Sequence, residues 1–175
     1  MAEVFVGVGS NQGDSRELLR RGLARLEAVV PGDLARVSSL YRTGPVGYTQ
    51  QPDFLNAVAL FHGEPLPERW LQRLLAVEAE LGRHRDGPRW GPRCLDLDLL
   101  AVGARTVETA SLTLPHPRLR ERRFVLVPWA EIAPDFRLPD GKRIADLERA
   151  CADAGRVEPV EGPAWAGKRP ENARG

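Results

Sequence analysis

Two aspartates one residue apart, Asp96 and Asp98, sit in a run otherwise built of leucine, alanine and valine between Leu95 and Val102. A strand alternates its side chains, so both carboxylates project from one face, roughly 7 Å apart along the chain. Charged residues in such a strand run against strand propensity. If that face is buried, each charge needs a partner or a metal; if it is open to water, the pair is unremarkable. Paired hard carboxylates suit magnesium, which is held by one or two carboxylates while water and phosphate oxygens complete the octahedron. Two such ions can clamp an in-line displacement between them.

The residues upstream bear on that choice. Arg83, Arg85, Arg89 and Arg93 crowd a segment broken by Gly87-Pro88 and Gly91-Pro92, with Trp90 among them. Arginine presents a planar fork that grips phosphate bidentately and keeps its charge. Arginines beside a carboxylate pair are what a magnesium–polyphosphate complex requires. The competing reading is a solvated basic loop whose arginines pair with the aspartates. A second basic group, His116, Arg118, Arg120, Arg122 and Arg123, could close over the same phosphates. Within it, Arg118 and Arg120 read better as an exposed turn.

Asn56 is polar within an apolar run and shares a face with Phe54. Its amide offers both donors and an acceptor to a heterocycle edge, or serves equally to hold loop backbone. Phe54 and Phe124 suit the two faces of a flat ring, or plain core. The run Gly7-Val8-Gly9-Ser10-Asn11-Gln12-Gly13 has its third glycine one position late for a dinucleotide fingerprint, and no suitable βαβ unit follows. It reads as a strand entering a tight turn at Gly9 to Asp14, with Asp14 or Ser15 capping a helix.

The elements that must position these residues follow from periodicity. Val4, Val6 and Val8 alternate as a first strand; Leu19, Leu23, Leu26 and Val30 recur at helical spacing until Pro31-Gly32. Leu34 to Tyr41 reads as one strand, followed by an irregular Thr43 to Tyr48, and Phe54 to Phe61 as another strand. Pro67 opens a second helix with Trp70, Leu74, Val77 and Leu81 as its stripe, and Asp96 to Val102 is the fourth strand. The order βαββαβ is the split βαβ pattern of ferredoxin-like α+β folds, an antiparallel sheet with helices on one face. C-terminal additions are helices from about Arg123 to Ile132 and Ile144 to Ala152. One domain over residues 1–159 is expected, with a loose polar tail over 160–175.

The 175 residues suit one core, and the formal charge of +1 gives no bias toward nucleic acid or an anionic membrane. Two cysteines, Cys94 and Cys151, make no disulfide framework, and no stretch approaches a membrane span or a signal peptide. A cytoplasmic monomer is the expectation. A sheet that binds RNA through aromatics would want a basic-Gly-aromatic strand, where this chain has Asp96-Leu97-Asp98. A zinc hydrolase using Asp96, Asp98 and His116 would draw on only three histidines in all.

Taken in order, Gly9-Ser10-Asn11, Leu40-Tyr41-Arg42-Thr43, Gln51-Pro52-Asp53-Phe54-Leu55-Asn56, Arg89 through Asp98, Pro115-His116, and Phe124 with Pro128 resemble the 6-hydroxymethyl-7,8-dihydropterin pyrophosphokinase family. The resemblance runs from Val4 to Pro139. It implies the transfer of diphosphate from ATP to the hydroxymethyl group of the pterin, releasing AMP, on the path to tetrahydrofolate. By position it implies that Asp96 and Asp98 hold two magnesium ions. Arg83, Arg93, His116 and Arg122 would contact the ATP phosphates, with Arg85 and Trp90 on a closing loop. Asn56 and the backbone of Thr43, Pro45 and Val46 would read the pterin edge, and Phe54 and Phe124 would stack on its faces. Asp86, Ser111 and Pro117 depart from residues that some relatives carry.

Overall fold

The computed structural model describes residues 1–46, 49–81 and 95–167. Among the described residues eight strands and four α-helices follow in chain order. They are β1 (Ala2–Ser10), α1 (Ser15–Val29), β2 (Gly32–Val37), β3 (Leu40–Thr43), β4 (Phe54–Gly63), α2 (Pro67–Glu80) and β5 (Asp96–Val102). Then come the short hairpin β6 (Val107–Glu108) and β7 (Thr113–Leu114), α3 (Arg123–Ile132), α4 (Ile144–Ala150) and β8 (Val157–Glu161). Six strands form one sheet in the order β5-β1-β4-β3-β8, with β2 also paired to β4, and every pairing is antiparallel. The ferredoxin-like α+β arrangement expected from the βαββαβ order is present.

Alternation on the central strand sorts the core into two layers. Val4, Val6 and Val8 face α1 and α2, where Leu19, Leu23, Leu26, Trp70, Leu74 and Val77 bury against them. Phe5 faces the other way, toward Val125, Leu126 and Trp129 of α3 and Ile144 of α4. Phe5, Trp129 and Phe136 form a ring cluster with centroids 4.6 to 5.9 Å apart, Phe5 tilted against both and Trp129 stacked on Phe136. The helices on one face are therefore the two of the βαββαβ unit, and the C-terminal pair covers the opposite face. Phe5 and Trp129 are fully buried, and such side chains contribute about 1.5–3 kcal/mol each through the hydrophobic effect.

The strand expected over Leu34 to Tyr41 is in fact two. β2 pairs with the far half of β4 and β3 with its near half, and the break at Ser38-Ser39 is held by side chains. Glu131 of α3 accepts the Ser39 N–H at 2.7 Å and the Ser39 and Tyr41 hydroxyls at 2.5 and 3.1 Å. The Trp165 indole N–H donates to the Ser38 carbonyl at 2.8 Å. Backbone groups that leave the ladder must find other partners, and here they do.

The chain does not loosen at Val160. β8 pairs with β3 from Thr43↔Val157 to Leu40↔Glu161, and Trp165, in a 3-10 turn over Pro163–Ala166, is fully buried. The strand escapes hydrophobic patterning because it is an exposed edge. Its Pro159 and its glutamates are residues that protect edges from further pairing.

Candidate active site

Along β1 the face that buries Phe5 continues into Gly7 and Gly9. Gly7 lies opposite Val58 on one side and Asp98 on the other; Gly9 lies opposite Asn56 and Asp96. The strand thus runs on through Ser10, and the turn expected at Gly9 begins instead at Asn11. Gly13 there has φ 69°, and Asp14 caps α1 by accepting from the Glu17 N–H at 3.2 Å. Where α3 and α4 cease to cover the sheet, these two glycines leave its floor bare. A Cβ at Gly9 would meet Asn56 Oδ1 at 2.5 Å, so the amide can lie across β1 only because that position has no side chain.

A cleft of about 960 Å³ opens over this floor. Asp96 and Asp98, both half-buried, line one end with His116 and Arg122. Thr43, Val46, Phe54, Asn56 and Phe124 also line it. Pro45 is half-buried and is not part of the lining. The cleft therefore gathers residues that lie far apart in sequence, from four strands, the start of α3 and the segment after α4. The sequence candidates Arg83, Arg85, Trp90 and Arg93 lie outside the described residues.

Asp96 and Asp98 share a face two ladder positions apart, with Leu97 between them, as alternation requires. Among the described residues no group of three His, Cys, Asp or Glu side chains could hold a metal by itself. This gives no support to the zinc hydrolase built on Asp96, Asp98 and His116. A two-carboxylate donor set does fit magnesium, which takes the rest of its shell from water and phosphate.

His116 is held by a β-bulge. The β1–β5 ladder shifts register between Phe5 and Val6, pairing Phe5 with Ala101 and Val6 with Leu99, so Leu100 is the extra residue. Its carbonyl accepts the His116 N–H at 2.9 Å and fixes the histidine beside the carboxylate strand. The Arg118 N–H donates to His116 Nδ1 at 3.2 Å, which leaves the proton of the neutral ring on Nε2. Burial pushes the imidazole down to about 4, helped by Arg122 and Arg118 and opposed by Asp96. At neutral pH the side chain is thus an uncharged N–H donor.

On the other side of the floor, Asn56 Nδ2 donates to the buried Thr43 hydroxyl at 2.7 Å, so the amide has a set orientation. The Arg122 guanidinium carbon lies 5.6 Å from the Phe124 ring centre, within cation–π range, linking the basic end of the cleft to the aromatic end. Arg118 and Arg120 are exposed, as expected, and Arg120 pairs with Asp140 at 2.5 Å, although both border the cleft.

Sequence reading undervalued two sets of residues. Asn11, nearly fully buried, donates from Nδ2 to Gln51 Oε1 at 2.8 Å and to the Pro52 carbonyl at 3.0 Å, pinning the approach to Phe54. Its burial was invisible, although its place beside a glycine-rich turn was a signal. Asp153 borders the cleft and accepts the Arg123 N–H at 3.1 Å, capping α3 from a distant part of the chain. No local pattern announces a cap supplied thirty residues away.

A ferredoxin-like α+β fold whose cleft sets paired carboxylates and basic groups beside an oriented amide and aromatic rings has the groups that phosphoryl transfer to a flat heterocycle requires. The chain matches the 7,8-dihydro-6-hydroxymethylpterin-pyrophosphokinase (HPPK) family over residues 5–134. It is 43% identical over 148 residues to the 2-amino-4-hydroxy-6-hydroxymethyldihydropteridine pyrophosphokinase of Pseudomonas aeruginosa, covering 85% of this chain and 91% of that one. The protein of the same description from Methylorubrum extorquens is 44% identical over 161 residues, covering 92% of this chain and all of the other. Among solved structures, wild-type Plasmodium falciparum HPPK-DHPS aligns with a TM-score of 0.66 at 12% identity, over 85% of this chain and 44% of that longer one, a likeness of fold. The chain belongs to the HPPK family and is a pyrophosphokinase of folate biosynthesis. Among the described residues no helix is long and apolar enough to cross a membrane.

Proposed function

We propose that the cleft binds ATP at its Asp96–Asp98–His116–Arg122 end and 6-hydroxymethyl-7,8-dihydropterin between Asn56, Phe54 and Phe124. The observation that carries this reading is that one cleft holds the carboxylate pair and the oriented amide on the same face of the sheet, separated only by the glycines of β1. In the reaction, the hydroxymethyl oxygen bonds to the β-phosphorus of ATP. The bond from that phosphorus to the oxygen bridging the α-phosphate breaks, AMP leaves, and the hydroxyl proton is lost.

Asp96 and Asp98 would hold two magnesium ions, which when bound neutralise polyphosphate charge and align the two substrates. His116 offers Nε2–H to a phosphate oxygen without adding a charge, and Arg122 supplies one. Asn56, oriented by Thr43, reads the pterin edge with the backbone of Thr43, Pro45 and Val46; Phe54 and Phe124 confine the ring. Such transfer is accelerated mainly by positioning and charge neutralisation. By their positions in the family's sequence pattern, Arg83 and Arg93 are assigned to the ATP phosphates, and Arg85 and Trp90 to closure over them. The protein acts as a monomer, with no nucleic acid or membrane partner.

The test is to mix the protein with ATP, magnesium and the pterin and separate the nucleotides. The expected outcome is AMP formed only when pterin is present, without free diphosphate. ADP would mean a different transfer, and pterin-independent AMP would remove the pterin from the reading.

A further inference from the structure

The segment that follows α4 has no part in the chemistry above, yet it touches three walls of the pterin end of the cleft. At its start, Asp153 accepts the Arg123 N–H at 3.1 Å and the Gly155 N–H at 2.8 Å, while the Arg123 guanidinium donates to the Gly155 carbonyl at 3.0 Å. This fixes the first turn of α3, which carries Phe124. One residue on, the Arg156 carbonyl accepts the Gly44 N–H at 3.3 Å, and the Arg156 side chain pairs with Asp53. Gly44 follows Thr43, and Asp53 precedes Phe54. β8 then zips along β3, ending where Glu161 takes Arg16 of α1 in a bidentate pair at 2.7 Å. Trp165 locks the end into the core.

We infer that this C-terminal strap is a positioning element for the pterin pocket, and that Arg156 is its positioning residue, tying the Thr43–Val46 segment to Asp53 and so setting the distance between the backbone that reads the ring edge and Phe54 beside it. The inference rests on the pocket assignment above. Its physical basis is division of labour. The Arg156–Asp53 pair is half-exposed and adds little to global stability. Its carbonyl and guanidinium nevertheless meet two separate loops at the rim of the pocket. Holding those loops before the substrate arrives removes their ordering cost from binding. The strap's outward bonds just described go to the first turn of α3, to the Gly44 and Asp53 loops, to β3 or to α1.

The experiment uses the full chain with Arg156→Ala, Asp53→Ala, the exchanged pair Arg156→Asp with Asp53→Arg, and Asn56→Ala as the pocket control. Steady-state constants for both substrates and the thermal midpoint are measured for each. Expected are a pterin KM raised about fivefold by either single alanine change, unchanged ATP KM and kcat, an unchanged thermal midpoint, and partial recovery in the exchanged pair. A pterin KM untouched by Arg156→Ala and Asp53→Ala, while Asn56→Ala raises it, would overturn the strap and spare the pocket. Loss of both substrates together with the thermal midpoint would also overturn it, by reducing the strap to a stabiliser. If Asn56→Ala leaves the pterin KM unchanged, the pocket assignment falls and the strap with it.

Discussion

At the scale of single residues, the surroundings of His116 change its chemistry. Most isolated histidines titrate near 6.5, but this ring is desolvated, flanked by Arg122 and Arg118, and pushed down to about 4. The folded protein therefore resists protonating it, whereas the unfolded chain does not. Between the ordinary value and the folded one, the unfolded state binds the extra proton, so stability must fall as pH is lowered through that window and level off below it. The expected result in the ligand-free protein is a denaturation midpoint that declines from pH 6.5 toward 4 and declines less in His116→Gln. An NMR titration should show the ring still neutral at pH 5.5. A ring that titrates near 6.5 would mean that water or a counter-charge reaches it. In the sequence, His116 was legible as a member of a basic cluster. Its uncharged state was not, since that depends on burial and on the Leu100 bulge beneath it.

At the scale of elements, the parts most legible were those with a period. α1, α2, α3 and β5 fall within a few residues of where apolar spacing puts them, because each buries one stripe or one face. What escaped were elements whose reasons lie elsewhere in the chain. The Ser38-Ser39 break looks like continuous strand until Glu131 and Trp165 supply its missing hydrogen bonds. β8 looks like tail because its side chains are mostly exposed, and only its partner β3 makes it a strand. The same logic locates the strap's stability in one side chain. Trp165→Ala removes a fully buried indole and leaves the Ser38 carbonyl without its donor, so it should cost about 3–5 kcal/mol. Denaturant melts should show a lower midpoint with an unchanged slope. A loss below about 0.5 kcal/mol would mean that residues 163–166 only rest on the surface.

At the scale of the whole molecule, one sheet carries two cores, and the cleft lies where the second core stops. Its lining comes from β1, β3, β4, β5, the start of α3 and the segment after α4, so a ligand there touches elements belonging to both layers. Ligand binding should then stabilise the protein as a unit rather than one lobe of it. At about 100 times its dissociation constant, a ligand specific to the folded state adds about 2.7 kcal/mol. For a chain of this size that corresponds to a rise of roughly 5–10 °C in thermal midpoint. A non-hydrolysable ATP analogue should produce that rise only when magnesium is present, and Asp98→Ala should abolish it while keeping the ligand-free midpoint, because the aspartate is half-buried in the cleft and not part of either core. The pterin alone should give its own shift, insensitive to Asp98→Ala and reduced by Asn56→Ala. Both shifts should appear as one cooperative transition. Two separate transitions would show that the layers unfold independently, and a magnesium-dependent shift surviving in Asp98→Ala would move the metal-binding role away from the paired carboxylates.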